Sequence, residues 1–283
     1  MALPEDYNYC AAEVRRFDHD RYLSLLLAAE PLRRSLLSIY AFNLEIARTA
    51  ESVSEPMIGQ IRLQWWRDSI EGLYGGAPRR HAVIQPLEEA ISAGNLTRSH
   101  FEGLIDARER DLDPDPPESL AALERYAEAT SVPVMLLGLE AAGVREGPAL
   151  KAARHAGLAL ALTGILRATA FLTRQRRILL PLKGMRAADV SPQELLDGRL
   201  APSALSPVVR PIAERAARHL MLARRDSRRI DRHALPVFWP ATLAELHLRR
   251  LHAAGFDPFD ARVQEAPPAR PWRLLGARLL GRF

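Results

Sequence analysis

Apolar positions along the chain recur at three- and four-residue spacing, and strand-like alternation is almost absent. This pattern predicts helices nearly throughout. An apolar stretch over residues 22–29 ends at Glu30-Pro31. Residues 32–55 carry Leu36, Leu37, Tyr40, Leu44 and Ala47 near helical spacing, and Pro56 stops them. Residues 58–74 close at Gly75-Gly76, and residues 81–93 end at Gly94-Asn95. Thr97 is placed to N-cap a helix through Leu112, and Asp113-Pro114-Asp115-Pro116-Pro117 is a sharp break. Residues 119–143 read as the next helix. Residues 148–172 are apolar on nearly every side, which places that helix at the centre of a bundle. After a break over 174–182, further helices are read over 191–197, 206–229 and 242–253. No repeat of fixed period and no low-complexity linker divides the chain. The expectation is all-α: one helical domain over residues 1–255, followed by a tail over 256–283.

Composition agrees with a folded core. The chain has 283 residues, 48% of them hydrophobic and 26% charged, enough to bury a core without disulfide or metal support. Cys10 is the only cysteine, which excludes an intrachain disulfide and a cysteine-based zinc site. A lone thiol reads as a reducing compartment, so the protein is expected in the cytoplasm. The opening Met-Ala-Leu-Pro-Glu-Asp carries acid where a leader would carry base. No run reaches the roughly 18 apolar residues of a span. The expectation is a protein that does not cross a membrane, although it can lie peripherally on the inner face of one.

Charge is unevenly spread. The formal net charge is +5; residues 101–128 hold nine acids against three arginines, and residues 206–233 hold eight arginines against three acids. Such bipolarity suits a protein partner or an anionic membrane surface. Nucleic acid is not an expected partner, since no zinc finger, aromatic RNA-binding motif or clear helix-turn-helix appears. The end of the tail can form a short amphipathic helix in which Trp272, Arg273, Arg278 and Phe283 are candidate membrane contacts. The same segment can instead dock its apolar face on the bundle, and the sequence leaves both open.

Familiar catalytic motifs are absent. Asp111-x-Asp113-x-Asp115 resembles the start of a calcium loop, but Pro114, Pro116 and Pro117 forbid the turn. No phosphate-binding glycine loop and no His-x-x-x-His pair is present. The informative signal is a series of phrases in order. Arg33-Arg34 precede Tyr40-Ala41-Phe42. Then come Trp65-Trp66-Arg67, Leu104-Ile105-Asp106 leading to Asp111-Leu112, and Tyr126-Ala127-Glu128. Last are Leu162-Thr163-Gly164-Ile165-Leu166-Arg167 and Arg177-Ile178-Leu179-Leu180-Pro181. In this order and spacing they resemble the squalene/phytoene synthase family, from about Tyr22 to Arg225.

That resemblance implies a single isoprenoid-synthase-like helical bundle. It also implies, for active members, head-to-head joining of prenyl diphosphates on magnesium held by two Asp-rich motifs on facing helices. Carboxylates four residues apart share one helix face, which suits a hard cation. Here the first motif falls on Ala47-Arg48-Thr49-Ala50-Glu51, with one carboxylate of three. A register shifted by one turn offers Glu51 and Glu55, but a continuous helix from Tyr40 to Glu51 would make such an insertion costly. The second motif falls on Ala168-Thr169-Ala170-Phe171-Leu172, with none. Ala47, Ala168, Phe171 and Leu172 are thus degenerate motif positions, and an inner wall at 168, 171 and 172 offers no oxygen to a metal.

The phrases Ala41-Phe42-Asn43-Leu44-Glu45, Ser52-Val53-Ser54-Glu55, Asp106-Ala107-Arg108-Glu109-Arg110-Asp111-Leu112 and Leu166-Arg167-Ala168-Thr169 are similar to one branch, that of the mitochondrial respiratory complex I assembly factor. The branch implies a catalytically inactive role in biogenesis of a membrane NADH dehydrogenase, with complex I subunits as partners and no cofactor. Two alternatives stay open. One is a magnesium-dependent prenyl transferase using Glu51, Glu55 and Asp111. The other is metal-free binding of a prenyl or lipid diphosphate by Arg48 and Arg167. Ordinary structural roles compete with both: internal ion pairs for the arginines and a solvated helix face for the glutamates.

Overall fold

A computed structural model describes residues 2–53, 55–227 and 230–283, and among them it has fourteen α-helices and no strand. The helices are α1 (Pro4–Phe17), α2 (His19–Leu25), α3 (Leu32–Ala47), α4 (Pro56–Tyr74), α5 (Ile84–Gly94), α6 (Arg98–Glu109) and α7 (Leu120–Ala141). They continue with α8 (Pro148–Arg174), α9 (Leu182–Ala187), α10 (Pro192–Leu196), α11 (Ser206–Asp226), α12 (Trp239–Ala253), α13 (Ala261–Gln264) and α14 (Arg270–Leu280). Ser54, in one of the branch-like phrases, and Arg229, at the end of one expected helix, lie outside the described residues.

Helix α8 is the axis of the bundle, packed between α7, α11 and α12. Its length and hydropathy would suffice for a membrane span, which the residue-by-residue reading did not anticipate. Most of its apolar residues are buried inside the protein instead. Ala149, Ala152, Ala153, Ala156 and Ala159 join one hydrophobic cluster, and Leu158, Leu162, Ile165 and Leu166 join a second. Small side chains let α7 approach closely. A Cβ on Gly157 would sit 3.1 Å from the Val132 Cα, tighter than ordinary packing. The first cluster is centred on Phe42, whose ring meets Trp66 and Phe101 edge-on at 5.4 and 5.3 Å, a favourable aromatic geometry.

Three departures from the sequence reading have local causes. Helix α1 was not foreseen, because its buried positions are few: Asp6, Cys10 and Val14. It is held by acids in its first turn and Arg15 and Arg16 in its last, which complement the helix dipole. Helix α3 stops at Ala47, so Tyr40 and Glu51 do not share a continuous helix. Beyond it the Thr49 Oγ1 donates to the Glu45 carbonyl at 3.3 Å and the Ser52 Oγ to the Thr49 carbonyl at 2.9 Å. These short polar side chains compete for backbone groups and turn the chain. Thr97 precedes α6 as expected, but its hydroxyl donates to Glu140 at 2.5 Å rather than capping the helix.

The tail packs on the bundle. Leu274 and Ala277 are buried, α14 lies along α12, and Phe283 stacks on Phe238 with centroids 5.0 Å apart. Phe283 is therefore not a membrane contact in this conformation, since its ring is only 7% exposed. Arg273 is engaged with Glu245 at 2.6 Å, whereas Trp272 and Arg278 stay exposed.

A histidine clasp joins three helices. His155 on α8 and His219 on α11 meet Nδ1 to Nδ1 at 2.9 Å, and the His219 Nε2 lies 3.1 Å from Glu124 on α7. One ring must donate and the other accept, so both cannot be protonated. Burial and the neighbouring His219 pull His155 below the ordinary histidine value of 6.5, and burial does the same to His81 and His247. The unfolded chain then binds more protons as pH falls through 6.5, so stability present above that pH is lost below it. The melting temperature should be several degrees lower at pH 5.5 than at 7.5. His155→Asn should make that slope shallower; an equally steep slope would remove the clasp from the explanation. Burial also pushes the Cys10 thiol up to about 12. A thiol reagent should modify the native protein far more slowly than the unfolded chain.

Candidate functional site

A cavity of about 300 Å³ opens between α2, α3, α7, α8 and α12. Its apolar wall comes from α8, where Ala161, Gly164, Ala168 and Leu172 face the space, joined by Ala47 from α3. A Cβ built on Gly164 would meet nothing within 4 Å. The degenerate positions Ala47, Ala168 and Leu172 are thus where the sequence reading expected them. Phe171 is not: it is 40% exposed and absent from the lining, because the helical turn aims it outward.

Two carboxylates organise the polar ends. Asp111, in a 3-10 turn after α6, is buried. Its Oδ1 accepts from the Tyr126 hydroxyl at 2.6 Å, and its Oδ2 accepts from Arg108 at 3.1 Å. Arg177 donates to the Asp111 backbone carbonyl at 3.0 Å and reaches its Oδ1 at 3.4 Å. Burial and the adjacent Asp111 carboxylate raise the Tyr126 phenol above its ordinary range, so it stays a neutral donor.

Asp20 is the second centre. The Arg167 guanidinium reaches its Oδ2 at 2.9 Å, the His247 Nε2–H donates to the same oxygen at 2.7 Å, and Arg270 takes Oδ1 at 2.8 Å. Burial works against the carboxylate charge, but His247, Arg167 and Arg270 outweigh it and hold its titration well below the usual carboxylate range. Burial lowers the His247 pKa against the pull of Asp20. A third pair, Arg21 with Asp18 at 2.8 Å, lies at the same rim.

Of the candidate ligand residues, Glu51, Asp111 and Arg167 do line the cavity. Arg48 does not. It reaches Glu13 at 3.4 Å and Glu51 at 3.9 Å, and stacks over the Phe17 ring at 3.4 Å from its centroid. Glu55 sits exposed at the start of α4, outside the lining. The sequence reading missed Asp18, Asp20 and His247. Aspartate ahead of an apolar run is a helix-start signal, and the Asp18 carboxylate does cap α2. That signal alone would have found the helix; it could not have found partners 227 and 250 residues away.

A magnesium cluster was tested against this donor set. Ala168 and Leu172 have no oxygen to give. Asp20 and Asp111 spend their oxygens on arginine, histidine and tyrosine. Among the described residues no group of three or more His, Cys, Asp or Glu is arranged to hold a metal ion. The unpartnered buried atoms on the wall, Asn43 Oδ1, Ser131 Oγ and Thr163 Oγ1, are neutral. The residues present do not fit the cluster. A diphosphate would have to compete with carboxylates already seated on the lining arginines: Arg21 pairs with Asp18, Arg108 and Arg177 share Asp111, and Arg167 shares Asp20 with Arg270.

An all-helical bundle closed around one central cavity is the isoprenoid-synthase architecture. The sequence narrows that class: a profile described as squalene/phytoene synthase matches residues 14–273, and the chain belongs to this family. It is 33% identical over 272 residues to "NADH dehydrogenase (ubiquinone) complex I, assembly factor 6" of Rattus norvegicus, covering 96% of this chain and 81% of that protein. It is 30% identical over 251 residues to a presqualene diphosphate synthase of Rhodopseudomonas palustris, covering 86% and 87%. The crystal structure of a dehydrosqualene synthase in complex with ligand superposes with a TM-score of 0.81 at 19% identity, covering 98% and 96%.

Asp20→Ala would strand three cationic or polar partners around a buried site. Urea unfolding should show a loss of about 3 kcal/mol, and limited proteolysis should cut the C-terminal segment faster once Arg270 is freed. A variant with unchanged midpoint and unchanged cutting would refute the hub assignment.

Proposed function

We propose that this protein assists assembly of a respiratory NADH dehydrogenase and does so without catalysing prenyl transfer. The observation that carries the reading is one wall of one cavity. Where the family's chemistry requires carboxylates on two facing helices, this chain presents Ala47, Ala168 and Leu172, and its remaining acids are neutralised by arginines. Ionising a diphosphate needs several negative charges compensated at the leaving group, and Ala47, Ala168 and Leu172 offer no oxygen to a metal that would do so. The extent of likeness to the rat assembly factor, nearly the whole chain, supports the assembly role. On this reading subunits of the dehydrogenase are the protein partners, and no cofactor is required.

The likeness to presqualene diphosphate synthase favours prenyl transfer as a second reading. It would leave Glu51 as the one acid of the first motif, with no carboxylate at the second-motif positions 168–172. Metal-free diphosphate binding would have to displace Asp20 from Arg167, and it gains nothing from Arg48, which lies outside the cavity.

Purified protein incubated with farnesyl diphosphate and magnesium should release no diphosphate above a blank. Turnover would overturn the non-catalytic part, and tight binding without turnover would favour the binding reading. A deletion strain should contain markedly less assembled NADH dehydrogenase, read by native gel activity. Normal levels would overturn the assembly part independently.

A further inference from the structure

Helix α14 has two apolar faces, and only one of them is used by the bundle. Leu274 and Ala277 are buried against it, with Phe283 closing the end. Trp272, Leu279 and Leu280 are 74%, 73% and 61% exposed, and Leu275 is 37% exposed. Residues 272, 275 and 279 are three and four apart, so they form one strip on the outward side. On α11, Met221 is 61% exposed. It joins Trp272 and Leu280 around a groove of about 1510 Å³ between α11, α12 and α14.

The same groove is strongly basic. Among the described residues Arg224, Arg225, Arg249, Arg273 and Arg282 line it, against one side-chain carboxylate, Glu245, and the Phe283 main-chain oxygen accepts from Arg224 at 3.2 Å. Arg224, Arg249 and Arg273 all converge on Glu245, so one negative charge serves three positive ones. Arg225 is matched by Asp226 at 2.8 Å. Two charges are left in surplus at Glu245, and Arg282 and the exposed Arg278 add to them.

We propose that this face is a seat for an anionic phospholipid membrane. Tryptophan and leucine partition into the boundary between headgroups and acyl chains, and guanidinium groups pair with phosphate just above it. Charge argues for this occupant over a second copy of the chain: a twofold contact through the strip would bring the two arginine collars together. The contacting set differs from the one expected of a detached tail. Trp272 and Arg278 belong to it; Phe283 does not, and Arg273 acts through the Glu245 cluster. The seat requires the tail docked, because α11 and α14 build it jointly. It stands independently of the assembly role.

Co-sedimentation of the full chain with vesicles tests the idea. Binding is expected to phosphatidylcholine vesicles containing phosphatidylglycerol, little to phosphatidylcholine alone, and less as salt rises. The triple variant Trp272→Ser, Leu279→Ser, Leu280→Ser should lose binding by more than about tenfold. Arg278→Ser and Arg282→Ser should cost about fivefold each. All five side chains are exposed, so melting temperatures should not move, and a variant that melts early is replaced by the single Trp272→Ser. Absence of binding to anionic vesicles, or binding undiminished by the triple variant, overturns the proposal. So does a solution dimer that the triple variant dissolves, which would assign the face to a second copy. A partner protein that binds this face while anionic vesicles do not would likewise overturn it.

Discussion

Asp20 sits on the seven-residue helix α2, far too short to be stable alone. It nevertheless collects Arg167 from α8, His247 from α12 and Arg270 from α14 on two carboxylate oxygens. Four elements distant in sequence are thereby tied at one buried point. A carboxylate inside a protein is tolerable only when cations and donors replace the water it has lost. That requirement runs in both directions: Asp20 needs the helices around it, and their cationic groups need Asp20. The docked position of the tail and the shape of the cavity rim both follow from it.

The cavity shows what happens to a metal-binding architecture whose donor residues differ. Carboxylates that are free can gather divalent cations. Here Asp111 and Asp20 instead complete ion pairs inside the wall with Arg108 and Arg167. These pairs occupy the carboxylate oxygens and leave between them a wall of small apolar and neutral polar side chains. The fold's ability to enclose a space survives because it depends on α8 and its small and apolar residues, not on the acids at either end. Fold and chemistry are separable in this family for that physical reason.

Much was legible in the amino-acid sequence. The all-α class, the central position of α8, the bounds of α4 and α7 to within two residues and the end of α12 followed from periodicity, proline and glycine, whereas α12 starts at Trp239, three residues before its expected start. The unusual residues at 47, 168 and 172 were visible once the ordered phrases set a register. What failed was informative. Helix α1 escaped because a surface helix with few buried residues carries little periodic signal. The continuation of α3 to Glu51 failed because Thr49 and Ser52 hydrogen-bond to nearby carbonyls, an effect the apolar pattern does not record. Phe171 was assigned to the wall from its motif position, yet one helical step of about 100° turns it away.

By itself, the sequence determined the all-α class, the longer apolar helices, the family, and the absence of oxygen donors at the second motif, because these depend on side-chain type and short-range spacing. Only the tertiary structure decided that Asp18, Asp20 and His247 share a cavity rim with Arg167, that Arg48 leaves it, and that Phe283 turns inward while Trp272 turns out. Those outcomes depend on contacts between residues far apart in the chain, such as Asp20 with Arg167 and His247, 147 and 227 residues away, and Phe283 against Phe238. A pattern of local period contains no record of such long-range pairings.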